Sequence, residues 1–350
     1  MPKEISRKIG ILNIVYTIAI VFYHFNLESL VTGKIVCDSF VEKVVFFFNR
    51  WMTNAGTYAV SFFYMTSAFL LYYNLSKDNW IEKIKRRIFS LCIPYLLWNF
   101  IYMCLFNHTR LLEGNFLLAI RGFANSEYCG PLWFVEGLVF MLLFLPIIYY
   151  VMKIPVLGEI VVVSSFIANF MGWSFVKGNG FVDLMGIFRY LYYVPSYMLG
   201  VYIAIRLKHF VWKLEYSKWV RVIAGVGFLT PFLLQNYPKC NMFFSLIHPV
   251  FLWILLPVTC GKSKLKYIGS PFMIYAMHDA GYQSFRRIFS FFNWAWYSRS
   301  DWSSVSILYL WGYRVLMGSV VLFLCIFFAE ICRRCLPKIY FLLSGGRGVK

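Results

Sequence analysis

Of the 350 residues, 60% are hydrophobic and only 14% are charged, with a mean hydropathy of +0.65. Soluble domains carry about 45–50% apolar residues and about a quarter charged, so the chain reads as an integral membrane protein with no separate soluble domain. Its net charge of +19 falls in short segments between apolar runs. That placement is a topology signal facing anionic lipid headgroups, not a nucleic-acid surface.

In chain order, the apolar runs show helical rather than alternating patterning, which favours an all-α polytopic helix bundle over an outer-membrane barrel. Ten transmembrane helices are expected, over residues 9–25, 55–74, 88–106, 131–152, 154–172, 185–205, 219–235, 241–258, 267–283 and 304–331. Glu159 interrupts the fifth, and Gly225, Gly227 and Pro231 soften the seventh. With the N-terminus in the cytoplasm, 22 Lys and Arg lie on the inner side and ten on the outer, while Arg189 and Arg314 fall inside spans. The bias fixes the orientation, and an even span count returns the C-terminus to the cytoplasm. Residues 1–350 are thus expected to form a single transmembrane domain.

Residues 1–25 have the basic start and apolar run of a signal peptide, but Phe25-Asn26-Leu27-Glu28 offers no small-residue cleavage site, so they read as an uncleaved anchor. No repeat or low-complexity stretch is visible. Among the nine cysteines, Cys332-Arg333-Arg334-Cys335 has metal-like spacing but no second pair and no nearby His, and no metal is expected. Cys37, Cys129 and Cys240 fall in outer segments, where a disulfide is permitted and its connectivity is not deducible.

Ionisable groups inside a bilayer are costly unless paired or facing a cavity, which makes each a functional candidate. Here His24, Glu136, Arg189, His248, His278 and Asp279 all fall in the outer halves of their spans, with Arg314 near mid-span. One leaflet would therefore hold a polar pocket. A structural reading stands beside this one: Glu136 pairs with Arg189 or Arg314, and His248 is a helix–helix hydrogen bonder. Trp133 is either an interface anchor or a wall of a substrate pocket. Asn13 and His24 are eleven residues apart, which puts them within about 20° of one helix face and about 16 Å apart along it. That arrangement suits a tunnel.

At these residues the sequence resembles the acyltransferase-3 family, multispan enzymes that move an acyl group, often acetyl, from cytoplasmic coenzyme A to sugars outside. The resemblance runs from ILNIVYTIAIVFYHF to YIGSPFMIYAMHDAGY. The family shows Arg or Lys, ten residues, then His in the first span; His24 fits and Asn13 takes the basic slot. GTYAVSFFYMTSAFLLY resembles a stretch ending Ser-Gly-Phe, here Ser67-Ala68-Phe69. RRIFSLCIPYLLW resembles a basic entry to the third span, with Arg87 and Pro94 in place and Ser90 where a second base is usual. GPLWFVEGL and IYAMHD, the latter containing His278, resemble two further family segments.

The resemblance implies acetyl-CoA or another acyl-CoA as donor, no metal, and a cell-surface polysaccharide or lipid-linked sugar as acceptor, in the plasma membrane among membrane lipids. Basic residues at 83–87, Arg86 and Arg87 above all, are expected to hold the donor phosphates, with Ser67 nearby. His24 then acts as general base or is acylated first. Asn13, Ser67 or Arg189 supplies a donor to the thioester oxygen, Glu28 either orients the imidazole or is a solvated loop carboxylate, Glu136 and His278 complete the catalytic set, and Trp133 and Arg189 contact the acceptor. A transporter or flippase for a lipid-linked sugar is the alternative class, although no inverted repeat supports it.

Overall fold

The computed structural model describes residues 1–26, 28, 34–107, 122–123, 126–172, 191–212, 216–234, 236–257, 270–291 and 304–347. Each of the ten apolar segments includes helix among its described residues. The elements are α1 (Lys3–His24), β1 (Lys34–Val36), α2 (Phe40–Tyr72), α3 (Trp80–Phe106), α4 (Trp133–Leu143), α5 (Leu145–Lys153), α6 (Leu157–Phe170), α7 (Val194–Ile205), α8 (Lys208–Trp212), α9 (Lys218–Leu233), α10 (Pro238–Leu255), α11 (Pro271–Phe291), β2 (Ser304–Ser306), α12 (Ile307–Cys335) and α13 (Pro337–Ser344). Among the described residues α1, α3, α10 and α12 are long and apolar enough to cross a membrane.

The fourth expected span is two helices. The chain bends by 66° between the Gly130–Leu143 and Leu145–Lys153 stretches, because Pro146 lacks an N–H and its ring collides with the carbonyl one turn back. Counted together, that pair brings the spans to five. The segment 26–54, which lies between the first two expected spans, is helical from Phe40 onward. Ser39 starts it with a capping box: its hydroxyl accepts from the Glu42 N–H at 3.1 Å, and the Glu42 carboxylate accepts from the Ser39 N–H at 2.9 Å. Just before it, β1 pairs in parallel with β2, tying Ile35 to Val305 ahead of α12.

At 33 residues α2 is the axis of the bundle, touching α1, α4, α7, α10 and α12. Its face through Tyr58, Ala59, Ser61, Tyr64 and Ala68 is almost wholly buried. Side chains such as Leu143, Leu233, Leu316 and Phe323 stay exposed, an apolar exterior that belongs against lipid. Helices α7 and α2 approach so closely that a Cβ built on Gly200 would lie 2.2 Å from the Met65 carbonyl oxygen. Backbone cannot yield as a side-chain tip does. Gly200→Ala is therefore expected to force the two helices apart and to destabilise the protein by about 1–3 kcal/mol, read as a lowered unfolding midpoint in detergent. Among the described residues Cys129 and Cys240 are free thiols.

Candidate active site

The α1 helix supplies a stripe. Arg7, Gly10, Asn13, Ile14 and Thr17 recur at helical spacing, and all of them line one cavity of about 470 Å³, a size typical of small-molecule sites. Ser67 and Thr66 of α2, Arg87 and Leu91 of α3, Phe134 and Leu138 of α4, Phe272 and Tyr275 of α11, and Arg347 beyond α13 complete the wall. Three of these residues are arginines, and among the described residues none is a carboxylate. Arg87 donates to the Ser67 carbonyl at 3.1 Å. Its neighbour Arg86, expected beside it, points away: it is exposed and ion-paired to Glu82, since successive helical residues lie about 100° apart.

Tyr275 links this cavity to a histidine pair. Its ring is 5.5 Å from that of His278, which in turn is 4.7 Å from His24. His24 closes α1 and packs edge-on against Tyr23. His278 is fully buried, and α11 is clamped on both sides of it. The Tyr102 hydroxyl of α3 donates to the Ala276 carbonyl at 2.8 Å and accepts from the Ala280 N–H at 2.7 Å, while the Tyr275 hydroxyl donates to the Pro131 carbonyl at 2.6 Å. The His278 Nδ1–H donates to the Tyr275 carbonyl within its own turn, an assignment made from that network. Nε2 is then the basic nitrogen of the neutral ring, and it has no hydrogen-bond partner among the described residues. Asp279, which accepts from Gln283 at 2.7 Å, is an electrostatic neighbour of His24.

Other expected site residues lie elsewhere. Glu28 does not orient His24; it accepts from Asn49 and faces the charge of Arg314. The buried Arg314 donates to the Asn49 carbonyl at 2.7 Å and to the Thr53 hydroxyl at 3.3 Å, so its partners are on α2 and not Glu136. Glu136 accepts from Ser126 at 2.9 Å, and Ser126 meets Tyr95 at 3.0 Å. Trp133 stacks obliquely near Tyr193, ring centres 5.6 Å apart. His248 is a core hydrogen bonder, paired with the Tyr16 hydroxyl at 3.1 Å and stacked on Tyr58 at 4.3 Å. Arg189 lies outside the described residues. No group of metal-ligating side chains occurs among the described residues.

A histidine pair above a cationic cavity suits transfer of a group from an anionic carrier. A family model described as an acyltransferase domain, that of the acyltransferase-3 family, matches residues 9–332, which takes in both histidines and all but Arg7 and Arg347 of the cavity wall. The chain belongs to the acyltransferase-3 family. It is a membrane acyltransferase, and the match does not favour a transporter. Searches of curated proteins and of solved structures return no match.

The sequence reading missed Arg7, Tyr275 and Arg347. Arg7 was legible, since it extends the stripe of Asn13 and Thr17 down one helix face. Arg347 carried no such signal, because only the fold brings the C-terminal end beside α3.

Proposed function

We propose that the protein transfers an acyl group, acetyl in the simplest case, from cytoplasmic acyl-coenzyme A to a hydroxyl of a carbohydrate on the far side of the plasma membrane. The observation that carries this reading is the cavity itself, cationic at the Arg87 and Arg347 end and walled also by Tyr275, which abuts His278, itself packed against His24. Ten spans with both termini in the cytoplasm, in a single transmembrane domain, put the cationic end on the donor's side and His24 on the acceptor's.

The donor phosphates sit at the arginines, and the pantetheine arm runs past Ser67, Asn13 and Thr17. Asn13 lies eleven residues below His24 on a continuous helix, about 16 Å away, so it steadies the arm and does not touch the thioester. At the upper end His24 accepts the proton of the acceptor hydroxyl. The hydroxyl oxygen bonds to the thioester carbon, the carbon–sulfur bond breaks, and the thiolate leaves, taking up a proton to become free coenzyme A. Asp279 stabilises the imidazolium formed at His24, and His278 holds it from the buried side. Trp133, Glu136 and Arg189 belong to the acceptor side. Arg86 is dropped from the donor site on its exposed pairing with Glu82.

Mass analysis of surface glycans from cells with and without the gene tests the reading. The expected result is an increment of about 42 Da per acetyl group that appears with the gene. Identical glycan masses in the two strains would defeat it.

A further inference from the structure

Two guanidinium groups from opposite ends of the sequence meet at one end of the cavity. Arg87 enters from α3. Arg347 follows α13, a short helix docked on the bundle through the Trp98 indole, which donates to the Leu343 carbonyl at 3.1 Å, and the Tyr340 hydroxyl, which accepts from the Ser270 N–H at 2.8 Å. The chain then reverses in a Schellman turn: the Gly346 N–H reaches the Phe341 carbonyl at 2.8 Å and the Gly345 N–H the Leu342 carbonyl at 3.2 Å. Both glycines are left-handed, with φ of 63° and 77°, and a Cβ on Gly345 would lie 2.4 Å from the Ser90 carbonyl oxygen. Only glycine fits there. The turn sends Arg347 inward, over the Phe272 ring at 4.7 Å.

The pairing is costly as it stands. Burial, and then the like charge of Arg87, push the Arg347 guanidinium down to about 10. Arg347 spends one donor on the Ser344 carbonyl and Arg87 one on Ser67, which leaves most of their five donors each without an acceptor among the described residues. Arg7 adds a third positive charge to the same wall, and no described lining residue opposes it. Paired forks of this kind match phosphate oxygens.

We propose that the Gly345-Gly346-Arg347 turn completes, with Arg87, a phosphate site that holds the diphosphate of the acyl-coenzyme A donor. The identity of the ligand rests on the acyl-donor reading above; the anion site rests on the two arginines and the built turn.

The test uses the full-length protein in phosphatidylcholine nanodiscs, titrated calorimetrically with coenzyme A and with inorganic pyrophosphate. Arg347→Ala is expected to weaken both ligands about tenfold or more, the scale of a lost charge-assisted hydrogen bond. Arg347→Lys should weaken them less, because the charge stays and the fork is lost. Gly345→Ala should weaken both while keeping every charge, by displacing the turn. A folded Arg347→Ala protein that binds both as tightly as wild type overturns the site; if that variant does not fold, wild-type affinity in Arg347→Lys does so. Coenzyme A binding that ignores Arg347 refutes the site and leaves the donor reading standing. Pyrophosphate binding that depends on Arg347, in a protein that does not bind coenzyme A, keeps the anion site and refutes the donor reading. Wild-type protein that binds neither probe refutes both.

Discussion

His24→Gln is expected to abolish most acyl transfer, by about 10² or more, while expression, folding and donor binding stay close to wild type. Gln keeps a polar, hydrogen-bonding end and removes only the titrating nitrogen. Nothing in the surroundings of His24 needs the ring for support: it ends α1, half-buried, with Tyr23 edge-on and His278 at 4.7 Å. The proton has no equivalent acceptor at that spot. His278 is buried behind it, with Nδ1 bound to the Tyr275 carbonyl and only Nε2 left as a basic nitrogen, so it is the next candidate base and a more deeply buried one. The measurement is acetylation of surface glycan in cells carrying equal amounts of folded wild-type or variant protein. Most of the activity surviving in a folded His24→Gln protein would pass the base role to His278 with Asp279.

Arg87→Ala is expected to raise the KM for acyl-coenzyme A about tenfold or more with a smaller effect on turnover. Arg87 lines the cavity at the end remote from the histidines, so its contact with the donor is the same in the ground and transition states. Such uniform binding moves KM and leaves kcat. Steady-state kinetics against donor concentration separates the two parameters. An unchanged KM would leave Arg87 as a structural link to the Ser67 carbonyl and a topology signal.

The contrast between Arg86 and Arg87 shows where sequence legibility ends. Composition marks both as basic residues before an apolar run, and either satisfies a charge bias. Which one turns inward depends on how α3 is rotated against α2, a packing outcome with no local signature. The helices themselves were legible, because each apolar run is long enough to demand internal hydrogen bonding and the 3.6-residue period is regular. So was the Asn13–His24 face, since one continuous helix carries both. The early start of α2 was also written locally, in the Ser39-x-x-Glu42 box, and the break in the fourth segment in Pro146. Arg347 was not, because the turn that carries it, with Gly345 against Ser90 and Pro94, is set by the docking of α13 at residues more than two hundred positions away in sequence. That Arg314, one of the two partners open to Glu136, pairs elsewhere has the same origin. Shared membrane depth does not fix azimuth, and α12 turns Arg314 toward Asn49 and Thr53.

The most direct test of the account supplies radiolabelled acetyl-coenzyme A to the cytoplasmic face of sealed, inverted membrane vesicles that contain the acceptor glycan inside. Label is expected on the enclosed glycan with wild-type protein and almost none with His24→Gln, at equal donor binding. Label that appears only when the donor has access to the enclosed face, or that is the same for the two proteins, would contradict it.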